Sequence, residues 1–292
     1  MFTKYINLFT DFGFKKIFGS EANKDLLINF LNTLLKDKEK IKDLTFLKNE
    51  HLGFTELDRK AIFDLHCENE KGEKFIVELQ NVKQQFFKDR SLFYVSFPIQ
   101  EQAKRGINWN YELKAVYCIG ILNFRFDDEN KNDLVVAENL KKDSKRKIKL
   151  PKRVVNTVKL MDIDTKEVFY DKLTFVYVQI PNFKKKITEL ETNEDKWFFL
   201  FKNLERLKSI PEQVQEEIFK RIFEIAEIAM YKEAERMIYL DSLKHYWDLK
   251  NSYDFATISG YNEGLEKGLE QGLEKGLEQG LEKGLRKVWN KV

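Results

Sequence analysis

Apolar residues recur at three- and four-residue intervals through two N-terminal stretches, DFGFKKIF (11–18) and EANKDLLINFLNTLL (21–35). That spacing predicts helices. Thr10 and Ser20 stand where N-cap side chains accept first-turn amides, and Gly19 follows the first helix as a terminator. The pattern then shifts toward strands. TFLKNEHL (45–52), AIFDLHCE (61–68), FIVELQ (75–80) and LKAVYCIGILNF (113–124) read as strands, with an amphipathic helical stretch, VKQQFFKDRSLFYVSF (82–97), between the last two. RVVNTVKLMD (153–162) and KLTFVYVQI (172–180) add two more strands. From about Asn193 the chain is helical, through KWFFLFKNLERLKS and then, after Pro211 at a first-turn position, through one long run from Glu212 to Trp247. A helix inserted between strands, with helices before it, predicts an α/β (mixed α+β) architecture rather than a sandwich. Three segments are expected: a core domain over 1–188, a helical subdomain over 189–258 and a repeat tail over 259–292.

The tail repeats every four residues, with Gly264, Gly268, Gly272, Gly276, Gly280 and Gly284 each followed by Leu. On a helix this leucine stripe drifts ~40° per repeat. Each interior glycine costs ~1 kcal/mol of helix propensity, while a Glu–Lys pair four residues apart returns only ~0.2–0.5 kcal/mol. An isolated tail is therefore a marginal helix. Two readings stand: self-association into a homo-oligomer, with backbones close at the glycines, or a frayed, nearly neutral appendage.

The chain has 292 residues, 42% of them hydrophobic, enough for a sizeable core. Its formal charge of +3 against 34% charged residues leaves no global basic field for nucleic acid, so any such site is local. Apolar runs are too short for a membrane span, and the first residues lack a signal-peptide pattern, so no membrane partner and a cytoplasmic location are expected. Cys67 and Cys118 each sit in a strand-like segment and read as small core residues. His51, His66 and His245 have no zinc-site spacing.

Candidate chemistry lies in the third strand. AIFDLHCE and FIVELQ are joined by NEKGEK, and a three-residue hairpin loop, Glu70-Lys71-Gly72, would place Gly72 in its left-handed position. Paired residue numbers then sum to 142. Glu78 falls opposite Asp64, with Gln80 diagonal on the same face and opposed Cβ atoms ~5 Å apart. Lys60 and His66 share this polar face. Ala61, Phe63, Leu65 and Cys67 would form a continuous apolar face with Phe75, Val77 and Leu79. Facing carboxylates in an apolar sheet repel, and burying them costs several kcal/mol without compensation. A hard divalent cation such as Mg²⁺ is the natural partner; a register slipped by one residue, or pairing of Glu78 with Lys60 or Arg90, is the plain alternative.

Asp64, the short hairpin and Glu78-Leu79-Gln80 resemble the PD-(D/E)XK nuclease motif, in a variant with Gln in place of the usual Lys. More specifically, the chain resembles the Rpn family of recombination-promoting nucleases and putative transposases of bacteria. TDFGFKKIFG resembles that family's opening signature at Asp11, Phe14 and Lys15; VELQNVKQQFFKDRSLFY resembles its active-site strand and helix; FVYVQIPNFKK resembles its later strand. The KWFFLFK helix and the Gly-Leu-Glu repeats are also similar to those such proteins carry. The resemblance implies a restriction-endonuclease-like core, a central mixed sheet flanked by helices, that hydrolyses DNA phosphodiester bonds with Mg²⁺ or another divalent cation. It implies that Asp64, Glu78 and the Leu79 carbonyl hold the metal, with Asp11 as an additional acidic residue, and that Gln80 positions water. A lysine would add charge where Gln only hydrogen-bonds, and Lys60 or Lys83 could supply it.

The strongest basic run is LKKDSKRKIKLPKR (140–153), in which Lys145, Arg146 and Lys147 are candidate phosphate contacts, with Lys60, Lys83, Lys88 and Arg90 near the hairpin and Lys104 and Arg105 beyond. A solvated loop is the bland reading of that run. Nothing encodes base readout, so little sequence specificity is expected. A catalytically degenerate DNA-binding or oligomerising protein is the rival reading. A DDE-type transposase needs three carboxylates on a different strand order, and a pair across one tight hairpin argues against it.

Overall fold

The computed structural model describes residues 3–36, 38–51, 61–103, 110–126 and 152–289. Its helices are α1 (Asp11–Phe18), α2 (Lys24–Leu34), α3 (Phe87–Gln100), α4 (Asn193–Asn203), α5 (Glu217–Ala226) and α6 (Glu233–Trp289). Its strands are β1 (Leu44–Phe46), β2 (Glu50–His51), β3 (Ala61–Ile62), β4 (Leu65–Asn69), β5 (Lys74–Gln80), β6 (Val116–Leu122), β7 (Val155–Met161) and β8 (Val168–Gln179). The main sheet runs β1-β4-β5-β6-β8-β7, with β5–β6 and β6–β8 parallel and the other neighbours antiparallel. This is the mixed, helix-flanked sheet of a restriction-endonuclease-like fold.

The parallel crossover from β5 to β6 carries α3 over one face of the sheet, and α1, α2, α4 and α5 cover the other. Every residue of β6 is buried. On one face Phe75, Val77, Tyr117, Ile119 and Ile121 pack with α1, α2, α4 and α5 in the larger core. Phe18, Phe30, Trp197 and Phe201 meet there at ring separations of 5.4–5.9 Å. On the other face Ile76, Val116, Cys118 and Leu122 pack against Phe87, Tyr94 and Val95 of α3. Both cysteines are buried free thiols.

The hairpin has the expected register: Leu65 pairs with Val77, His66 with Ile76 and Cys67 with Phe75. Gly72 adopts φ +79°, the left-handed value that its place at the end of the loop requires. The strand expected over 61–68 is, however, two strands. It breaks at Phe63–Asp64, and beyond the break β3 pairs with β2 in a separate two-stranded sheet. The break reverses the side-chain alternation, so Ala61 and Phe63 join the α3-side core while Leu65 and Cys67 face the opposite one. The continuous apolar face expected from strict alternation does not exist, and the face carrying Glu78 is a second core, with His66 fully buried against Phe63.

The long helix expected from Glu212 is also interrupted. Pro211 precedes a short 3₁₀ turn, Glu212–Val214, and α5 ends at Ala226. Glu227 is extended because the N-terminal segment pairs with it: the Ile6 amide donates to the Ala226 carbonyl and the Ile228 amide to the Lys4 carbonyl, both at 3.0 Å. The chain divides into two compact units, 1–246 and 247–292, and α4 and α5 share the larger core with the sheet. In the second unit α6 continues through the repeats, where Leu265, Leu269, Leu273, Leu277 and Leu281 are exposed. Among the described residues no helix is long and apolar enough to cross a membrane.

Candidate active site

The site lies where the strand break meets the end of β5. Asp64 and Glu78 hold each other through the backbone: the Asp64 amide donates to Glu78 Oε1 at 3.1 Å and the Leu79 amide to Asp64 Oδ2 at 2.7 Å. Side-chain oxygens thus take amides at the break, which keeps these buried N–H groups paired while the backbone turns away. Asn49 spans the same gap, donating to the Asp64 carbonyl at 3.0 Å and accepting the His66 amide at 3.1 Å. Gly120 is the β6 partner of Glu78. A Cβ there would lie 3.3 Å from Phe87 and 3.2 Å from Tyr177, so the missing side chain lets these rings of α3 and β8 pack against the strand beside Glu78.

From the other side α1 reaches the same place. Thr10 caps it, accepting the Gly13 amide at 3.0 Å. Asn81, the residue after Gln80, donates to the Phe9 carbonyl at 2.6 Å and ties the end of β5 to the start of α1. Asp11 and Lys15 are exposed on α1 and paired at 2.7 Å.

Burial dominates the electrostatics. Glu78 is only 4% exposed, and burial, then the Asp64 charge, raises its proton affinity well above the carboxylate range, opposed by Arg90 and the Asp64 amide. Burial likewise raises Asp64, with the Asp11 charge acting in the same direction and the Leu79 amide, Lys15 and Arg90 opposing. Without a cation the pair therefore retains a proton that ordinary carboxyls would have lost. Arg90 lies 3.5 Å from Glu78 Oε2, so the ion-pair alternative is realised, but at a distance that leaves the carboxylate undercompensated.

Gln80 is buried on the same face, its amide donating to the Val82 carbonyl at 3.1 Å. Lys83 is half-buried in the turn that follows. Asp11 does not join the pair in a larger acidic cluster: among the described residues no three His, Cys, Asp or Glu side chains converge to hold a metal. Lys60, Lys104, Arg105, Lys145, Arg146 and Lys147 lie outside the described residues. The spacing rules missed Lys15 as a charge acting on both carboxylates, and Asn49, Asn81 and Gly120 as groups that shape the site. Of these only Lys15 carried a signal, its place one helical turn after Asp11.

The donor set suits a hard divalent cation. Such ions take carboxylate, carbonyl and water oxygens, and one or two carboxylates suffice where substrate phosphates complete the shell. A buried acidic pair with one guanidinium at 3.5 Å carries, once its retained proton leaves, the negative charge such an ion neutralises.

A helix-flanked mixed sheet with an acidic pair across its hairpin defines a nuclease-like protein of the restriction-endonuclease class. The model of the PD-(D/E)XK nuclease family transposases matches residues 8–150 and 143–256, and the chain belongs to that family. No curated protein and no solved structure matches it. A nuclease-like or transposase-related function follows from the family.

Proposed function

We propose that the chain is a divalent-metal-dependent endonuclease that hydrolyses DNA phosphodiester bonds with little sequence specificity and so promotes recombination or transposition-like events. The observation that carries this reading is the buried Asp64–Glu78 pair, held by two backbone amides and left short of positive charge. Asp64, Glu78 and the Leu79 carbonyl would hold the cation, which supplies an acidified water and stabilises charge on the phosphodiester. Gln80 contributes orientation: its amide is anchored on Val82, and its carbonyl can accept a hydrogen bond from the attacking water. Lys15 supplies the positive charge that position 80 lacks, since its field favours the ionised form of both carboxylates. The exposed repeat leucines support self-association of the tail.

Plasmid nicking by the purified protein tests the reading, with Mg²⁺ or EDTA, beside Asp64→Ala and Glu78→Gln. Magnesium-dependent nicking lost in both variants is expected. Equal inertness of all three proteins, with DNA binding retained at low salt, would establish the non-catalytic alternative.

A further inference from the structure

Beside the carboxylate pair runs a wall formed by α3 and the turn before it. Phe86, Arg90 and Phe93 fall at the spacing of neighbours on one helix face. With Tyr94, Gln84 and Asp89 they border an open cleft of about 540 Å³. Phe86 is 65% exposed and Phe93 43%, and both rings border this cleft. Arg90 joins the cleft to the site: its guanidinium lies 3.5 Å from Glu78, 4.8 Å above the Tyr94 ring and 2.9 Å from Gln84 Oε1.

A DNA strand with its phosphate at Asp64 and Glu78 would pass Arg90, and the next group along that strand is a base. In a duplex the faces of that base are covered by its stacked neighbours. Unpaired, it can lie on a protein ring, and accessible aromatics beside a guanidinium are the usual elements of a stacking platform. Gln84 and Asp89 offer donors and acceptors at the rim without the paired geometry that reads one base. We propose that this cleft binds an unpaired nucleobase, so that the substrate class is DNA with single-stranded character, such as a flap, a gap or a displaced strand. The proposal rests on the nuclease reading above.

The test compares wild type with the double variant Phe86→Ala, Phe93→Ala, in which both altered side chains are solvent-exposed. Fluorescence anisotropy in EDTA measures binding to a single strand and to a duplex of equal length, and 2-aminopurine in the single strand reports stacking. The wild type should prefer the single strand and quench 2-aminopurine. The double variant should lose roughly 10-fold in single-strand affinity, lose the quenching and bind duplex as before. Preference for duplex, unchanged single-strand binding, or equal loss on both ligands would overturn the proposal. Plasmid nicking measured in parallel separates the two claims: nicking without a stacking signal refutes the platform alone, and stacking without nicking refutes the nuclease.

Discussion

Replacing Glu78 with Gln in metal-free protein should change the pH dependence of stability, by an amount that follows from proton linkage. Gln keeps the oxygen that accepts the Asp64 amide at 3.1 Å, so local shape is retained. It removes a carboxyl whose proton affinity is raised by burial and by Asp64. Because the folded value lies above the unfolded one, wild type has this group's full stabilising contribution below the ordinary carboxylate range and loses it as pH rises toward the raised folded value. One proton gives a slope of at most ~1.4 kcal/mol per pH unit in that window. From about pH 5 to about pH 7 the variant should therefore gain on wild type by up to about 3 kcal/mol, less whatever Arg90 returns to the ionised form. Urea unfolding in EDTA at several pH values, with m-values held comparable, reads the difference directly. Parallel stability curves for the two proteins would refute the claim that Glu78 holds an elevated proton affinity. Magnesium should reverse the order, stabilising wild type through binding to the folded state, increasingly as pH rises and the pair ionises.

Lys15→Met removes a charge that favours both ionised carboxylates, so the rising limb of the nicking rate should move to higher pH; an unmoved limb with an equal loss at every pH would leave Lys15 a role in DNA binding alone. Deleting residues 259–292 should convert a self-associating protein to monomers in sedimentation velocity with plasmid nicking retained, and identical masses for both chains would refute tail-driven assembly.

How much of this was legible in the sequence depended on the range of the interactions involved. The hairpin register followed from local turn chemistry, because only one glycine in NEKGEK could take the left-handed position, and Gly72 does. The cap at Thr10 and the stop at Gly19 are equally local. Phe63 was misplaced because alternation assumes an unbroken strand, whereas carboxylates fifteen or so residues apart in the chain replace part of the backbone pairing at the break. The interruption at Glu227 was invisible for a similar reason, since its cause is the segment around Tyr5 at the opposite end of the domain. For the site, the acidic pair and Gln80 were readable from the motif, but Arg90 could be given either of two roles until its distance to Glu78 was known. Asn49 and Asn81 carry no pattern at all, because both work through backbone contacts set by the finished fold, two for Asn49 and one for Asn81.

The pairing of the first residues with the last turns of the domain also bears on how the protein is made. Lys4 and Ile6 bond around Glu227, the Asn7 amide donates to the Tyr239 hydroxyl and the Phe12 amide to the Ser242 hydroxyl. A chain leaving the ribosome releases Phe12, in α1, 230 residues before Ser242, whose hydroxyl takes its amide. Contacts this distant in sequence form slowly and late. Placement of α1 beside the acidic pair therefore waits on the last turns of the domain, and a chain truncated before α6 lacks the Tyr239 and Ser242 hydroxyls that take the Asn7 and Phe12 amides.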